Sequence, residues 1–490
     1  MSLPVISIAQ MREWEKASWA AGKSEAEVIR HVGRVVAEYA LELTRAGERI
    51  AILAGKGHNG EDAKYAQEHL RERHVEVLNV TDAEADFPKL DALLLSRPAL
   101  LIDGLFGIGI NRPLDARWVK FIERINASRL PVLAVDVPSG LNADTGEAQG
   151  AAVEAAVTLT VGAPKAGMLK QNAWRYVGQL AVAHDVGLVA CPHRSELNWT
   201  LPEDFRDFPP RRPAAGHKGT FGHLAIIAGS VGYHGAAVLA ARGAQRAQPG
   251  LITLFPQESA YLPVAAQLQS TMVQKWPAEL KLPGDFSGVA IGPGLASPEV
   301  PEDLKHSVRR LWRDSPAPLI MDASALDWLT MEPFPKNAVR VLTPHPGEAA
   351  RLLKTTPARV QADRTGSLRE ISRRLGNAWV VLKGHQTLVG RGEGEIFVNP
   401  SGNPYLGQGG SGDTLSGYLA GLLAQRELQK DPGLTIRYAV WQHGACADLL
   451  SRMRPNWIVE DLFNTLGTVR VEPRMDTDEA GRQCSYRAGA

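Results

Sequence analysis

A chain of 490 residues is too long for one ordinary hydrophobic core, which stops growing at roughly 250 to 300 residues, so two domains are expected. Its 54 Lys and Arg against 53 Asp and Glu leave a formal charge of +1, which argues against nucleic-acid and membrane partners and favours a small molecule. Cys191, Cys446 and Cys484 stand at no metal-ligand spacing and resist a disulfide framework. The N-terminus carries no basic region followed by an apolar run, and no stretch reaches membrane length, so a cytoplasmic location is expected.

Along the chain, apolar runs of strand length alternate with amphipathic stretches of helix length, the pattern of parallel sheets covered by crossover helices. The first half predicts strands at 50–54, 75–80, 100–104, 131–137, 156–161 and 179–183, with helices such as 61–73 and 116–127. Periodicity then fails over a stretch carrying Pro202, Pro209, Pro210 and Pro213, and a linker is expected at 201–216. Alternation resumes with strands at 223–229, 251–255, 289–292, 318–322, 339–343 and 378–383, followed by helices at 412–425 and 436–452. The expected division is therefore 1–200, a linker, 217–471, and a polar tail over 472–490.

Several loops between these elements carry chemistry. In the first half, Gly55 to Asp62 (GKGHNGED) follows a strand and enters a helix, the position for phosphate contact, although it is not the GxGxxG of a hydride-transfer fold. Asp103 to Gly109 and Asp136 to Gly146 each begin with an acid at a strand's carboxyl end. In the second half, Gly292-Pro293-Gly294, Thr343 to Glu348 and Lys383 to Thr387 end strands in the same way, where loops line the crevice of an open α/β sheet. The strongest signal is Gly409-Gly410-Ser411-Gly412-Asp413, which opens onto an apolar helix and offers backbone amides to an anion, with Asp413 in the first turn. Singly, Asp413 could be a helix cap, His345 a satisfied loop histidine and Lys383 a strand-end charge; together they mark one face.

These motifs carry a family resemblance. Residues 217 to 471, through Lys218 to Gly222, Gly292 to Gly294, Thr343 to Glu348, Lys383-Gly384, Asn399-Pro400 and the GGSGD loop, resemble the dehydratase domain of the NAD(P)H-hydrate repair enzymes, a ribokinase-like α/β fold. The resemblance implies nucleotide-driven removal of water from the S epimer of hydrated NADH or NADPH (NADHX and NADPHX), with ADP or ATP as co-substrate and Mg2+ on the phosphates. It implies nucleotide binding by Lys383, Gly384, His385, Gln386, Thr387 and Gly412, and hydrate contacts by Ala236, Gly294, His345 and Asp413. Asp413 would be the general base toward the substrate hydroxyl. The loop departs from the family in having Tyr405 to Gln408 before Gly409.

Residues 5 to 190, through the three loops above and Pro164 to Gly167, resemble the epimerase domain of the same system, a Rossmann-like three-layer fold. The resemblance implies interconversion of R and S hydrates, with Asp136 catalytic and K+ held by Asn59, Asp103 and Ser139. Hydrate contacts fall on His58, Asn59, Gly60, Glu61, Asp62, Gly107, Ile108, Gly109, Ile110, Asn111, Arg112, Pro113 and Asp136. Where the family reads close to N-N-G-G-D-G, this chain has His58-Asn59-Gly60-Glu61-Asp62-Ala63, and Glu61 should cost affinity for a phosphate-bearing ligand unless it turns outward. ADP is the expected nucleotide and a homo-oligomer the expected assembly. A small-alcohol kinase and a non-catalytic first half serving as a binding scaffold are the alternatives.

Overall fold

The structure is a computed structural model that describes residues 2–110, 112–276, 285–296, 300–331 and 334–471. Asn111 and the tail at 472–490 lie outside the described residues. The chain divides into two compact units, Leu3–Glu196 and Leu197 onward, the latter also taking in Ser2.

The first unit holds a parallel sheet of β1 (Arg49–Ala54), β2 (His74–Asn79), β3 (Leu100–Gly104), β4 (Val132–Val135), β5 (Val157–Val161) and β6 (Gln179–Ala183), in the order β2-β1-β3-β4-β5-β6. Both faces are apolar, because successive side chains point to opposite sides and each side meets helices. Ile50, Ile52, Ile102 and Leu133 cluster with Val32, Val36 and Ala40 of helix Glu25–Leu43, whose buried positions recur at helical spacing. Ala51, Leu53, Leu101 and Val132 cluster instead with Leu90 and Leu94 of Phe87–Leu95 and with Phe121, Ile122 and Ile125 of Ala116–Ser128. Since β1 lies between β2 and β3, the strand order reverses there, and the loops after β1 and β3 open onto the crevice such a reversal creates.

The second unit contains β7 (Leu197–Trp199), β8 (His223–Ile227), β9 (Leu251–Phe255), β10 (Met272–Val273), β11 (Gly288–Ile291), β12 (Leu319–Met321), β13 (Arg340–Leu342), β14 (Trp379–Leu382), β15 (Leu388–Gly390) and β16 (Ile396–Val398). Their order runs β7-β16-β15-β14-β13-β12-β11-β8-β9-β10, with β14, β15 and β16 paired antiparallel and the rest parallel. Here the reversal falls between β8 and β11, whose following loops are tied together: Gly229 N donates to the Pro293 carbonyl at 2.8 Å and Ser230 Oγ to that of Gly294 at 2.7 Å.

The stretch 201–216, expected to be a linker, is partly core. Phe205 is buried among Tyr438 and Trp441, with ring centroids 5.5 and 5.2 Å away, and Phe208 packs on Tyr438. Proline content broke the periodicity that would have revealed this, since the segment anchors through single aromatics rather than through a face.

Helices His234–Ala247 and Ser411–Leu423 approach with backbone nearly touching backbone. A Cβ placed on Gly417 would fall 1.9 Å from the Ala240 carbonyl oxygen, and one on Gly243 would fall 2.3 Å from that of Thr414. Gly417→Val is therefore expected to cost roughly 3 kcal/mol or more through overpacking. A denaturant midpoint equal to that of the parent chain would show that the helices can separate without loss.

Candidate active sites

In the second unit, β8, β11, β12, β13 and β14 deliver their carboxyl-end loops to one face. A Cβ on Gly294 would stand 3.0 Å from the Ala236 Cβ, so two of the residues expected to meet the hydrate touch each other. Directly after β12 comes Asp322, 2% exposed. Its Oδ1 accepts from Lys383 Nζ at 2.9 Å and its Oδ2 from the Ser416 hydroxyl. Burial alone would push this carboxyl up, but the Lys383 ammonium and the hydrogen bonds from Ser416, Lys383 and Thr343 outweigh it and hold the group below the ordinary carboxylate value. Burial works against the Lys383 ammonium too, and the charges of Asp322 and Glu348 more than compensate, leaving its pKa raised. The same ammonium lies 3.9 Å from Glu348 Oε2 and 3.4 Å from where a Cβ on Gly412 would be. One cation thus joins the ends of β12 and β14 to the glycine loop.

That loop reaches its helix through Gly410, whose φ of 95° lies in the left-handed region that a side chain would strain. Asp413 sits in the first turn of Ser411–Leu423. Burial first, then the nearby Asp322 charge, push its carboxyl up to about 7; Glu348 adds to this and Lys383 opposes it. A proton acceptor poised near neutral pH suits general-base work. Beneath the loop, His443 on helix Pro432–Met453 places Nε2 3.0 Å from the Ser411 carbonyl oxygen. Burial holds its pKa down to about 4, so the neutral ring donates from Nε2, a tautomer assigned from that bond.

The remaining expected residues surround this centre. His345 caps helix Pro346–Leu353, with Nδ1 accepting from Gly347 N at 3.0 Å and Nε2 3.5 Å from Glu348 Oε1, while Glu348 Oε2 accepts from His345 N at 2.8 Å. After β14, Gly384 and Gln386 take φ values of 130° and 52°. Buried Arg364 braces this turn by donating to the Leu382 and Gln386 carbonyls, and the Thr387 hydroxyl closes onto Gly384 O at 2.9 Å. His385 stands on its exposed rim.

In the first unit, helix His58–Tyr65 starts at Gly57 directly after β1. Asn59 has both amide atoms buried without a hydrogen-bond partner, beside Gly107 of the loop after β3. Asp103, fully buried, accepts from Ser139 N at 2.9 Å, Ser139 Oγ at 2.6 Å and Leu105 N at 3.2 Å. Burial still leaves its pKa raised, and none of its partners is cationic. The three residues expected to hold a cation are thus a buried acid, its serine and an amide with an idle oxygen nearby.

Asp136 follows β4 with φ 60° and is 8% exposed. His58 pairs with Glu25 at 3.3 Å, Gly60 and Asp62 are buried, and Glu61 is exposed, so its charge turns outward. Gly107, Ile108 and Ile110 are half-buried and Gly109, Arg112 and Pro113 exposed. Lys165, Asp322, Ser416, Arg364 and His443 were not singled out from the sequence. Each has a partner far along the chain, as with Asp322 and Lys383, which stand 61 positions apart, so no local spacing announces it.

Two α/β units, one Rossmann-like with acids at its strand ends and one ribokinase-like with a base, an ammonium and an anion-accepting helix start, define a two-domain enzyme. The profile of the NAD(P)H-hydrate dehydratase family matches residues 224–465, and that of the YjeF-related protein N-terminus matches residues 78–167. A bifunctional NAD(P)H-hydrate repair enzyme from Gloeobacter violaceus is 35% identical over 495 residues, covering 91% of this chain and 93% of the relative. Among solved structures, a ribokinase-like superfamily protein from Enterococcus faecalis is 26% identical with TM-score 0.50, covering 57% of this chain and 97% of its own. An ADP/ATP-dependent NAD(P)H-hydrate dehydratase from Bacillus subtilis, co-crystallized with ATP/Mg2+, is 32% identical with TM-score 0.49, covering 55% and 95%. The chain belongs to the family of bifunctional NAD(P)H-hydrate repair enzymes. Among the described residues no helix is long and apolar enough to cross a membrane.

Proposed function

We propose that the second unit phosphorylates the hydroxyl of the S hydrate of NADH or NADPH at the expense of ADP and then releases phosphate, returning the reduced cofactor. The observation that carries this is the Asp413 carboxyl, pushed up to about 7 at a helix start beside the Lys383 ammonium. Asp413 takes the proton from the hydroxyl as its oxygen attacks the terminal phosphoryl group. The amides of Gly410 and Gly412 and the Lys383 charge face the negative charge that develops there, while the Ser411 amide is held by the Gln408 carbonyl at 3.3 Å. Phosphate then leaves where hydroxide could not, expelled by the lone pair of the ring nitrogen to give a C=N bond, and loss of a proton from the adjacent ring carbon to solvent forms the C=C bond and returns the pair to nitrogen. Among the described residues no cluster of three His, Cys, Asp or Glu side chains could hold a metal unaided, which fits Mg2+ carried mainly by phosphate oxygens and water. Bound there, it would neutralise the phosphates.

The first unit, in this reading, interconverts the R and S hydrates with Asp136 as its proton acceptor. The idle Asn59 oxygen with Asp103 and Ser139 fits K+, a cation content with oxygen ligands.

The test is a dehydration assay on separated epimers with ADP and with ATP. The S hydrate is expected to be consumed with equimolar phosphate release; a stable phosphorylated product seen by phosphorus NMR would instead indicate a kinase. With only the R hydrate supplied, Asp136→Ala is expected to slow conversion to the spontaneous rate. Equal conversion by both chains would remove catalysis from the first unit.

A further inference from the structure

Asp136 is held asymmetrically. Its Oδ1 accepts from Lys165 Nζ at 2.7 Å, from Val161 N at 3.1 Å and from Thr160 Oγ1 at 3.3 Å. No donor among the described residues reaches Oδ2, and that atom is not sealed from solvent. Lys165 has no exposed side-chain surface, and its ammonium is also spent on Thr160 Oγ1 at 2.9 Å and Val161 O at 2.8 Å. Three acceptors saturate its three protons. A buried lysine so committed has no proton left for a phosphate; its effect is on the carboxylate it grips.

Resting on the isomerase reading above, we propose that Lys165 is the positioning residue of that site: it holds Asp136 through Oδ1 alone, keeps Oδ2 as the proton acceptor, and leaves Asp62 as the proton donor. Asp62, 8% exposed, accepts no hydrogen bond among the described residues. Burial, then the charges of Asp136, Glu61 and Glu15, push its pKa well above the ordinary carboxylate value. Of the ionisable side chains whose charges reach Asp136, Glu15 from helix Ile8–Ala20 and Asp62 from helix His58–Tyr65 are acidic, and Lys165 supplies the direct cationic contact. A carboxylate gripped by an ammonium, beside a second carboxyl that burial favours in its protonated form, gives a base and an acid. In the balanced step, Asp62 protonates the hydroxyl of the hydrate, the C–O bond breaks to release water, and the ring-nitrogen pair becomes a C=N bond. Water then adds from the other face, the C=N pair returns to nitrogen, and one water proton passes to Asp136 Oδ2. Exchange with solvent restores both acids.

The experiment follows R-to-S interconversion by the full chain across pH, without nucleotide and with the spontaneous rate subtracted. Lys165→Met is expected to lower kcat about 10- to 100-fold with little change in KM, and to move the acid limb upward, because Asp136 would then face only acids. Lys165→Arg keeps the charge, so its limb should stay while kcat falls. Adding Lys165→Met to Asp136→Asn should cost nothing further. A pH-independent loss in Lys165→Met, with the limb unmoved, overturns the proposal and leaves the isomerase reading standing. Should that variant fail to fold, Lys165→Arg decides: kcat equal to the parent's overturns it. A parent chain no faster than the spontaneous reaction overturns the isomerase reading and this proposal together.

Discussion

Asp413→Asn is expected to abolish most nucleotide-dependent return of reduced-nicotinamide absorbance, a loss of roughly 10²- to 10⁴-fold for removal of a general base, with nucleotide affinity largely kept. The parent chain should show kcat/KM falling as pH drops below about 7, because the acceptor protonates there, and the variant should lose that dependence. Stability should move the opposite way. The folded pKa of about 7 lies well above the ordinary carboxylate value, so the ionised form is disfavoured by folding. That cost is fully present above about pH 7, shrinks as pH falls between the two values, and vanishes below the lower one. Asparagine removes it, so the variant should unfold at higher denaturant above neutrality by on the order of a few kcal/mol, with the advantage fading on acidification. An inactive but unstabilised variant would mean that the carboxyl is not desolvated; full turnover would dismiss it as the base.

Asp322→Leu is the second large effect. It leaves the Lys383 ammonium, 19% exposed, without its 2.9 Å partner and Ser416 without its acceptor. Removing one member of a buried pair costs roughly 3–5 kcal/mol, because the other charge stays desolvated. Replacing both members, Asp322→Leu with Lys383→Met, removes that stranded charge and should recover most of the stability. Turnover should not recover, since the cation beside Gly412 is gone. Unfolding midpoints and dehydration rates on the four chains of this cycle separate the two roles. A double variant that regains turnover would reduce the pair to a structural brace.

Much of the architecture is legible in the residues because parallel strands buried on both faces are continuous apolar runs. The expected strands at 50–54, 100–104 and 251–255 lie on Arg49–Ala54, Leu100–Gly104 and Leu251–Phe255. The helix expected at 61–73 begins at His58 and tightens into a 3₁₀ turn at Ala66–His69, since glycine and histidine gave no apolar periodicity at its start. Short strands such as Leu197–Trp199 and the hairpin Leu388–Gly390 with Ile396–Val398 carry too few residues to show a period. For the sites, loops at strand ends were readable as a face, and the structure brings Ala236 to Gly294 and Lys383 to Gly412. What spacing could not convey is who holds whom. Lys383 stood out as a strand-end charge, yet its orientation depends on Asp322, and Asp136 stood out as an acid while Lys165 was only part of a motif.

The burial of Phe205 bears on how such a chain could have been joined from two genes, or separated again. A break just before Leu197 leaves β7 beside β16 and keeps the aromatic ring among Tyr438 and Trp441. A break at residue 217, where the recognisable motifs begin, would strip the second unit of an edge strand and a core side chain. A break in this chain that spares both cores therefore falls in the few residues ahead of Leu197, and the proline-rich stretch that reads like a tether travels with the second unit.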